Sequence, residues 1–342
     1  MKAYINGISY YLPEKVLTNT ELSTLYPGWP IDKISKRIGV ESRHIAGADE
    51  YSSDLAVAAL NKLIEEFSID KDSIDYLILC TQTPNFSLPA TACIVQDKTG
   101  LPKSCGAIDI SLGCSGYVYG LGFAKGLILS GQAKNVVFIT AETLSKTLHP
   151  DDKANRALFG DAATATLITS KPATNRFCAE IKNFKYGTDG SGYDKLIIKN
   201  SSTHSNKNQH ESVFDVEGNF ISNDDFLYMN GGEIFNFTAF EIPKLVEETL
   251  KENALEIEDI AMTVFHQANT YMLDFIRKRC RIAEQNMYID MKDVGNTISS
   301  TIPIGIRRLL DENKIEKEDK LLLSGFGVGL SMAGVVIETE FI

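Results

Sequence analysis

Cys114 lies in Ser111-Leu112-Gly113-Cys114-Ser115-Gly116-Tyr117, between a short apolar run and a long segment rich in glycine and aromatic residues. A cysteine at a strand-to-helix turn meets unpaired N–H groups and the positive end of the helix dipole, both of which favour thiolate. A thiolate there attacks acyl thioesters, and exchanging one thioester for another is nearly isoenergetic, so an acyl group can be held covalently. Gly113 and Gly116 flank the thiol and allow backbone or substrate to approach closely. The same thiol also reads as an ordinary packed cysteine. Packing is the better reading for Cys80, Cys93, Cys105, Cys178 and Cys280, which lack such a turn.

Two further residues carry polar chemistry at informative places. His266 ends an apolar run and opens Gln267-Ala268-Asn269; the carboxyl edge of a strand in an α/β sheet is where ligands bind. A satisfied core histidine fits the same pattern. Asn296, in Gly295-Asn296-Thr297-Ile298-Ser299-Ser300-Thr301, reads first as a turn or as the cap of the next helix. Its amide does not titrate and donates hydrogen bonds at any pH. His149, His204 and His210 lie in polar loops and read as exposed, and His44 has no apolar strand to position it.

Positioning these residues requires an α/β scaffold, because short apolar runs alternate with segments of helical period. Strands are expected at 76–80, 106–110, 136–140 and 163–169, with helices at 88–99 and 115–130, the latter closed by Gly131. The second half repeats the order, with helices at 232–253, 271–280 and 304–313 and strands at 260–265, 320–324 and 334–339. Residues 74–85 and 260–269 read as distant copies of one strand-and-loop unit. Residues 199–219, rich in Ser, Asn, His and Lys, read as a surface excursion or mobile flap.

A length of 342 residues allows two halves sharing a core, with 44% apolar and 23% charged residues. The net charge of -11 argues against nonspecific nucleic-acid binding. No run is long and apolar enough to span a bilayer, and the first residues lack a secretory signal, so a cytoplasmic protein is expected. The six cysteines form no CxxC pair and complete no zinc spacing, so free thiols and no metal are expected.

Taken together, these stretches resemble the beta-ketoacyl-acyl-carrier-protein synthase III family of the thiolase superfamily. The residues that carry the resemblance are 109–120 around Cys114, Phe265-His266-Gln267-Ala268-Asn269, and 295–303 with its Gly-Asn-Thr. Lys36-Arg37-Ile38-Gly39-Val40, Phe159-Gly160-Asp161, Asp189-Gly190-Ser191 and Gly325-Phe326-Gly327 follow in family order. The resemblance implies a thiolase-like fold, with two pseudo-duplicated halves (1–172 and 173–342) in one five-layered α-β-α-β-α body, and a homodimer. It implies decarboxylative condensation of an acyl primer on Cys114 with malonyl-acyl-carrier protein, using no cofactor beyond thioester substrates. His266 and Asn296 would hold the enolate oxygen, and the N–H groups of Cys114 and a residue near Val328 the tetrahedral oxyanion. Phe326 would shape the site, and Leu88 would reach across the dimer to close the acyl pocket. Arg37, Lys153, Asn230, Lys278 and Arg279 fall at substrate- or carrier-docking positions, the last two in the densest basic run, Arg277-Lys278-Arg279-Cys280-Arg281. Lys33 stands where the family has an adenine-stacking tryptophan, with Trp29 close by. Tyr271 replaces a basic residue and Gly232 an asparagine, and Val328 replaces a glycine. These departures suit a primer delivered on a carrier protein instead of coenzyme A, although an acyl-coenzyme A primer stays open. Plant-type polyketide synthases share the Cys-His-Asn set. An acyltransferase passing its acyl group to a hydroxyl or amine, in secondary metabolism or glycan modification, is the alternative.

Overall fold

The computed structural model describes residues 1–206 and 210–341. Its central strands are β1 (Tyr4–Tyr11), β2 (Tyr76–Cys80), β3 (Gly106–Ile110), β4 (Asn135–Glu142), β5 (Ala162–Thr169), β6 (Cys178–Thr188), β7 (Met262–Phe265), β8 (Lys320–Gly327) and β9 (Ser331–Phe341). They hydrogen-bond in the order β7-β8-β9-β6-β1-β5-β4-β2-β3. The helices packed on them are α1 (Ser52–Phe67), α2 (Thr91–Thr99), α3 (Gly116–Leu129), α4 (Gly231–Glu252), α5 (Thr270–Arg279) and α6 (Thr301–Asp311).

Alternation along the strands sorts the core into layers. In β2, Leu77 and Leu79 face α1 and α2 with Leu55, Leu60 and Val95. Ile78 and Cys80 face the opposite way, onto α3 and α6, where Leu121, Ile306, Leu323 and Val335 join them. The outer face of the second half packs on α4 and α5 through Ile242, Leu273, Leu322 and Val336. The order α1/α2, sheet, α3/α6, sheet, α4/α5 is the expected five-layered sandwich.

The two halves are copies. β2 pairs in parallel with β3 and β4, β7 pairs in parallel with β8, and β4–β5 and β8–β9 are antiparallel in both halves. The position of β3 is filled in the second half by a single parallel bridge from Thr263 to Met287. β1 and β6 meet across the centre at Tyr4–Glu180 and Ile5–Ala179. The loops after β2 and β7, read as copies in the sequence, therefore occupy equivalent places, and so do the turns that lead into α3 and α6.

Two helix starts differ from expectation by more than one residue. α2 begins at Thr91 because the Asp109 carboxylate accepts from the N–H groups of Thr91 (2.6 Å) and Ala92 (2.7 Å). α6 begins at Thr301, three residues earlier than the sequence suggests. Pro303 falls in its first turn, where a missing N–H breaks no helical bond. Gly131 closes α3 as expected, with φ +77 and N–H bonds from Gly131 to Ile128 and from Gln132 to Leu127. The expected surface excursion forms a hairpin of Val213–Phe214 with Phe220–Ser222; its residues 207–209 lie outside the described residues. His149 is a correction, because its side chain is only 12% exposed. It stacks on Phe220 at 4.2 Å and bonds Ser212 at 3.0 Å, tying the excursion to the body.

Candidate active site

Cys114 occupies the turn between β3 and α3 and is 7% exposed. The turn is fixed from several sides: Gly116 N–H donates to the Gly113 carbonyl at 2.7 Å, and the Ser115 and Ser331 hydroxyls meet at 2.6 Å. Ser331 donates in turn to the Val328 carbonyl, joining the Cys114 turn to the loop after β8. The flanking glycines make room for protein rather than for substrate. A Cβ on Gly113 would meet the Gln82 side chain at 2.2 Å, and one on Gly116 the Cys80 sulfur at 2.3 Å. Gly327 matters more directly, since a Cβ there would lie 2.8 Å from Cys114 Sγ.

The expected thiolate bias at the helix start is outweighed by burial, which pushes the Cys114 thiol up to about 12. The N–H groups of Val328 and of Cys114 itself pull the other way, and Glu142 adds to the rise. Glu142 is wholly buried at the end of β4. Burial raises it to about 8, although Gln82 N–H (3.1 Å) and the Ser299 (3.0 Å) and Thr83 (3.2 Å) hydroxyls all donate to it.

His266 follows β7 directly, its N–H donating to the Ser324 carbonyl at 2.8 Å. The neighbouring motif residues brace it. Gln267 donates to the Phe265 and Tyr288 carbonyls and accepts from Asp290 N–H, and Asn269 caps α5 by accepting from Met272 N–H. Burial lowers the imidazole to about 3, and the Ile298 carbonyl, which accepts from the ring, opposes that shift. The ring is therefore neutral, with Nδ1 2.9 Å from Thr301 Oγ1. Asn296 is buried and is no helix cap. Its Oδ1 accepts from Ile298 N–H at 3.0 Å, which turns Nδ2 toward His266 Nε2 and the Ala268 carbonyl, each at 3.4 Å. Contacts that long leave the amide protons available to a ligand. Main-chain bonds from Asn296 N–H to Leu158 and from Gly160 N–H to Asn296 hold the segment.

Cys114, His266 and Asn296 thus line one cavity of about 520 Å³, with Phe326, Gly327, Met229 and Met272 among its walls. Phe326 stands edge-on to the His266 ring at 5.7 Å. An outer vestibule of about 1410 Å³ continues from it past Leu158, Met229, Gly231, Asn269 and Met272. Arg37 and Trp29 line the vestibule, with the Arg37 guanidinium over the Tyr271 ring at 4.6 Å. Other expected residues lie outside both spaces. Lys153 sits near the Tyr26 ring at 5.9 Å, and Asn230 caps α4 through Glu233 N–H. Lys278 is paired with Asp274 at 2.6 Å, and Arg279 is exposed on the last turn of α5. Leu88 is 83% exposed and does not line its own chain's cavity. Sequence reasoning missed Thr301 and Glu142 as site neighbours, and read the Gly325-Phe326-Gly327 loop as part of the site without seeing how closely Gly327 packs on Cys114.

Fold and site together define an acyl-transferring enzyme of the thiolase-like class. Models of 3-oxoacyl-[acyl-carrier-protein (ACP)] synthase III match residues 108–190 and, for the C-terminal part, residues 250–339. A beta-ketoacyl-[acyl-carrier-protein] synthase III of Clostridium perfringens is 36% identical over 332 residues, 97% of this chain and 98% of that protein. A crystal structure of a 3-oxoacyl-(acyl-carrier-protein) synthase III superposes with a TM-score of 0.93 at 41% identity, covering 98% of this chain and 99% of that one. The 3-oxoacyl-(acyl-carrier protein) synthase of Burkholderia xenovorans gives 0.88 at 34% identity, covering 99% and 95%. The chain belongs to the beta-ketoacyl-[acyl-carrier-protein] synthase III family. No helix of the described residues is long and apolar enough to cross a membrane.

Proposed function

We propose that this enzyme joins an acyl primer, held as a thioester on Cys114, to a malonyl-carrier thioester, releasing carbon dioxide and a 3-oxoacyl-carrier product. The observation that carries this reading is the convergence of Cys114, His266 and Asn296 on one buried cavity with free donor capacity. In loading, Nε2 of neutral His266 takes the thiol proton as Sγ attacks the primer's carbonyl carbon, and the leaving thiolate takes that proton back. The Cys114 and Val328 N–H groups, already directed at the sulfur, suit the tetrahedral oxyanion beside it. In condensation the malonyl C–C bond breaks, its electron pair moves onto the thioester oxygen, and Asn296 and His266 donate to that oxygen. The enolate carbon then attacks the acyl carbon, and Cys114 departs as thiolate and is reprotonated by water. Phe326, edge-on to the ring, keeps it in place.

The vestibule fits a pantetheine arm, with Arg37 and Trp29 at its mouth. We assign carrier docking to Lys278 and Arg279. They lie about 11 Å along α5 from Tyr271 at the 1.5 Å rise of a helix, and opposite charge would steer an acidic carrier toward them. Lys153 and Asn230 would contribute beside the vestibule, and the primer would arrive on coenzyme A or on a carrier. A homodimer is favoured by the free edge of β3, where Ile108, Phe123 and Leu129 are exposed beside an apolar hollow, and it would let Leu88 reach the partner's cavity. The boundary between halves falls at 172/173, between β5 and β6. The reaction needs no metal or bound cofactor as written, and a cytoplasmic site suits its free thiols.

The test is to incubate the enzyme with acetyl-coenzyme A and malonyl-carrier protein, weigh the intact protein and measure carbon dioxide release. An acetyl adduct lost in Cys114→Ala, with release that depends on Asn296, is expected. An adduct that survives Cys114→Ala would overturn the covalent step. Rapid transfer to alcohols or amines without carbon dioxide would favour the alternative acyltransferase.

A further inference from the structure

We propose that Thr301 is a positioning residue that lets His266 exchange tautomers, so that one neutral imidazole is a base in loading and a hydrogen-bond donor in condensation. The inference rests on the two-step reading above and concerns how a single ring serves both steps. At rest the ring proton belongs on Nδ1, where Thr301 Oγ1 lies at 2.9 Å and the Ile298 carbonyl also accepts. The Asn296 amide, oriented by its bond from Ile298 N–H, turns a donor toward Nε2 at 3.4 Å, a long contact that suits a bare Nε2. That tautomer can take the Cys114 proton. It cannot donate to an enolate oxygen.

Condensation needs the proton on Nε2 and leaves Nδ1 bare. The Ile298 carbonyl only accepts and would then face a lone pair, which disfavours this form. A hydroxyl has no such restriction. Thr301 Oγ1 lies 3.0 Å from the Ile298 carbonyl and donates to it in the resting arrangement. Rotating the O–H from that carbonyl to Nδ1 supplies the missing donor. The proton count of the ring stays at one: a proton leaves Nδ1 to cavity water, and one from water joins Nε2. The incoming thioester oxygen draws the Asn296 donor from Nε2 to itself, which removes the preference for a bare Nε2. The imidazolium is only a transient, formed when the ring takes the Cys114 proton, in keeping with a buried ring packed edge-on against Phe326.

Thr301→Val keeps the shape and removes the hydroxyl, and Thr301→Ser restores it. The assays are the rate of Cys114 acetylation by acetyl-coenzyme A, followed by intact mass, and release of labelled carbon dioxide from malonyl-carrier protein. Thr301→Val is expected to slow release by about 10- to 100-fold, the scale of losing one oxyanion donor, while acetylation stays within about threefold. Thr301→Ser should recover both. Ring-nitrogen NMR with a non-decarboxylating malonyl thioester analogue bound should give Nε2–H in the parent and Nδ1–H in Thr301→Val. Equal losses in both half-reactions, unchanged carbon dioxide release, or an unchanged tautomer would overturn the proposal. Absence of any adduct on the parent Cys114 would overturn the functional reading and this proposal with it.

Discussion

Gly327→Ala should disable the nucleophile without unfolding the enzyme. The added methyl would lie 2.7 Å from Cys114 Cβ and 2.8 Å from Sγ. Carbon and sulfur want at least about 3.5 Å, so the overlap approaches 1 Å. The turn cannot retreat freely, because Gly325 already packs so tightly that its own Cβ would sit 2.8 Å from the Cys114 carbonyl. Sγ must therefore swing away from the Val328 and Cys114 N–H groups. Displacement of that size costs roughly 100-fold in rate, and the overpacking about 1–3 kcal/mol in stability. The assay is the initial rate of Cys114 acetylation, with thermal unfolding alongside. Gly329→Ala is the control, since its Cβ meets nothing within 4 Å and only its φ of +69 is strained. It should lose about 1 kcal/mol and keep its acetylation rate. Acetylation of Gly327→Ala within twofold of the parent would refute the placement of Sγ.

Asn296→Ala should lower carbon dioxide release by about 100-fold while leaving Cys114 acetylation near normal, as measured by the same two assays. His266 adds a pH dependence to stability, because the folded ring holds its proton less tightly than the unfolded one. Its contribution is full above pH 6.5 and is lost as pH falls toward about 3. Urea unfolding should show a loss of up to about 1.4 kcal/mol per pH unit in that window, and His266→Gln should flatten that part of the slope. Replacing Lys278 and Arg279 together by Glu should raise the KM for malonyl-carrier protein about tenfold at low salt. The gap should narrow as salt rises, and acetylation from acetyl-coenzyme A should stay unchanged.

What could be read from the sequence was whatever depends on neighbours along the chain. The Cys114 turn, the His266 strand end and the Gly131 stop are local patterns, and each forms as expected. The copied unit at 74–85 and 260–269 was legible because both segments end equivalent strands. Asn296 was locally ambiguous, and only the ordered resemblance favoured a site role over a cap. Thr301 and Glu142 gave no signal, since their partners lie 35 residues away in His266 and 157 in Ser299. The protonation state of Cys114 was misjudged for a related reason. Helix ends are visible in a sequence, but the layers that bury them are not.

That burial gives the site a coherent electrostatic logic. Cys114 is held as thiol and His266 as neutral imidazole, and among the described residues the cavity wall carries no lysine or arginine. A malonyl carboxylate entering such a space leaves water without gaining a cation, which is costly for an ion. Losing carbon dioxide moves that charge to the thioester oxygen, to which, in the proposed mechanism, the Asn296 amide donates directly and His266 donates once its ring proton is on Nε2. The same neutral surroundings keep the resting thiol unreactive toward passing electrophiles. A lysine placed to hold the carboxylate would bind substrate more tightly and stabilise it against the bond cleavage the site must perform.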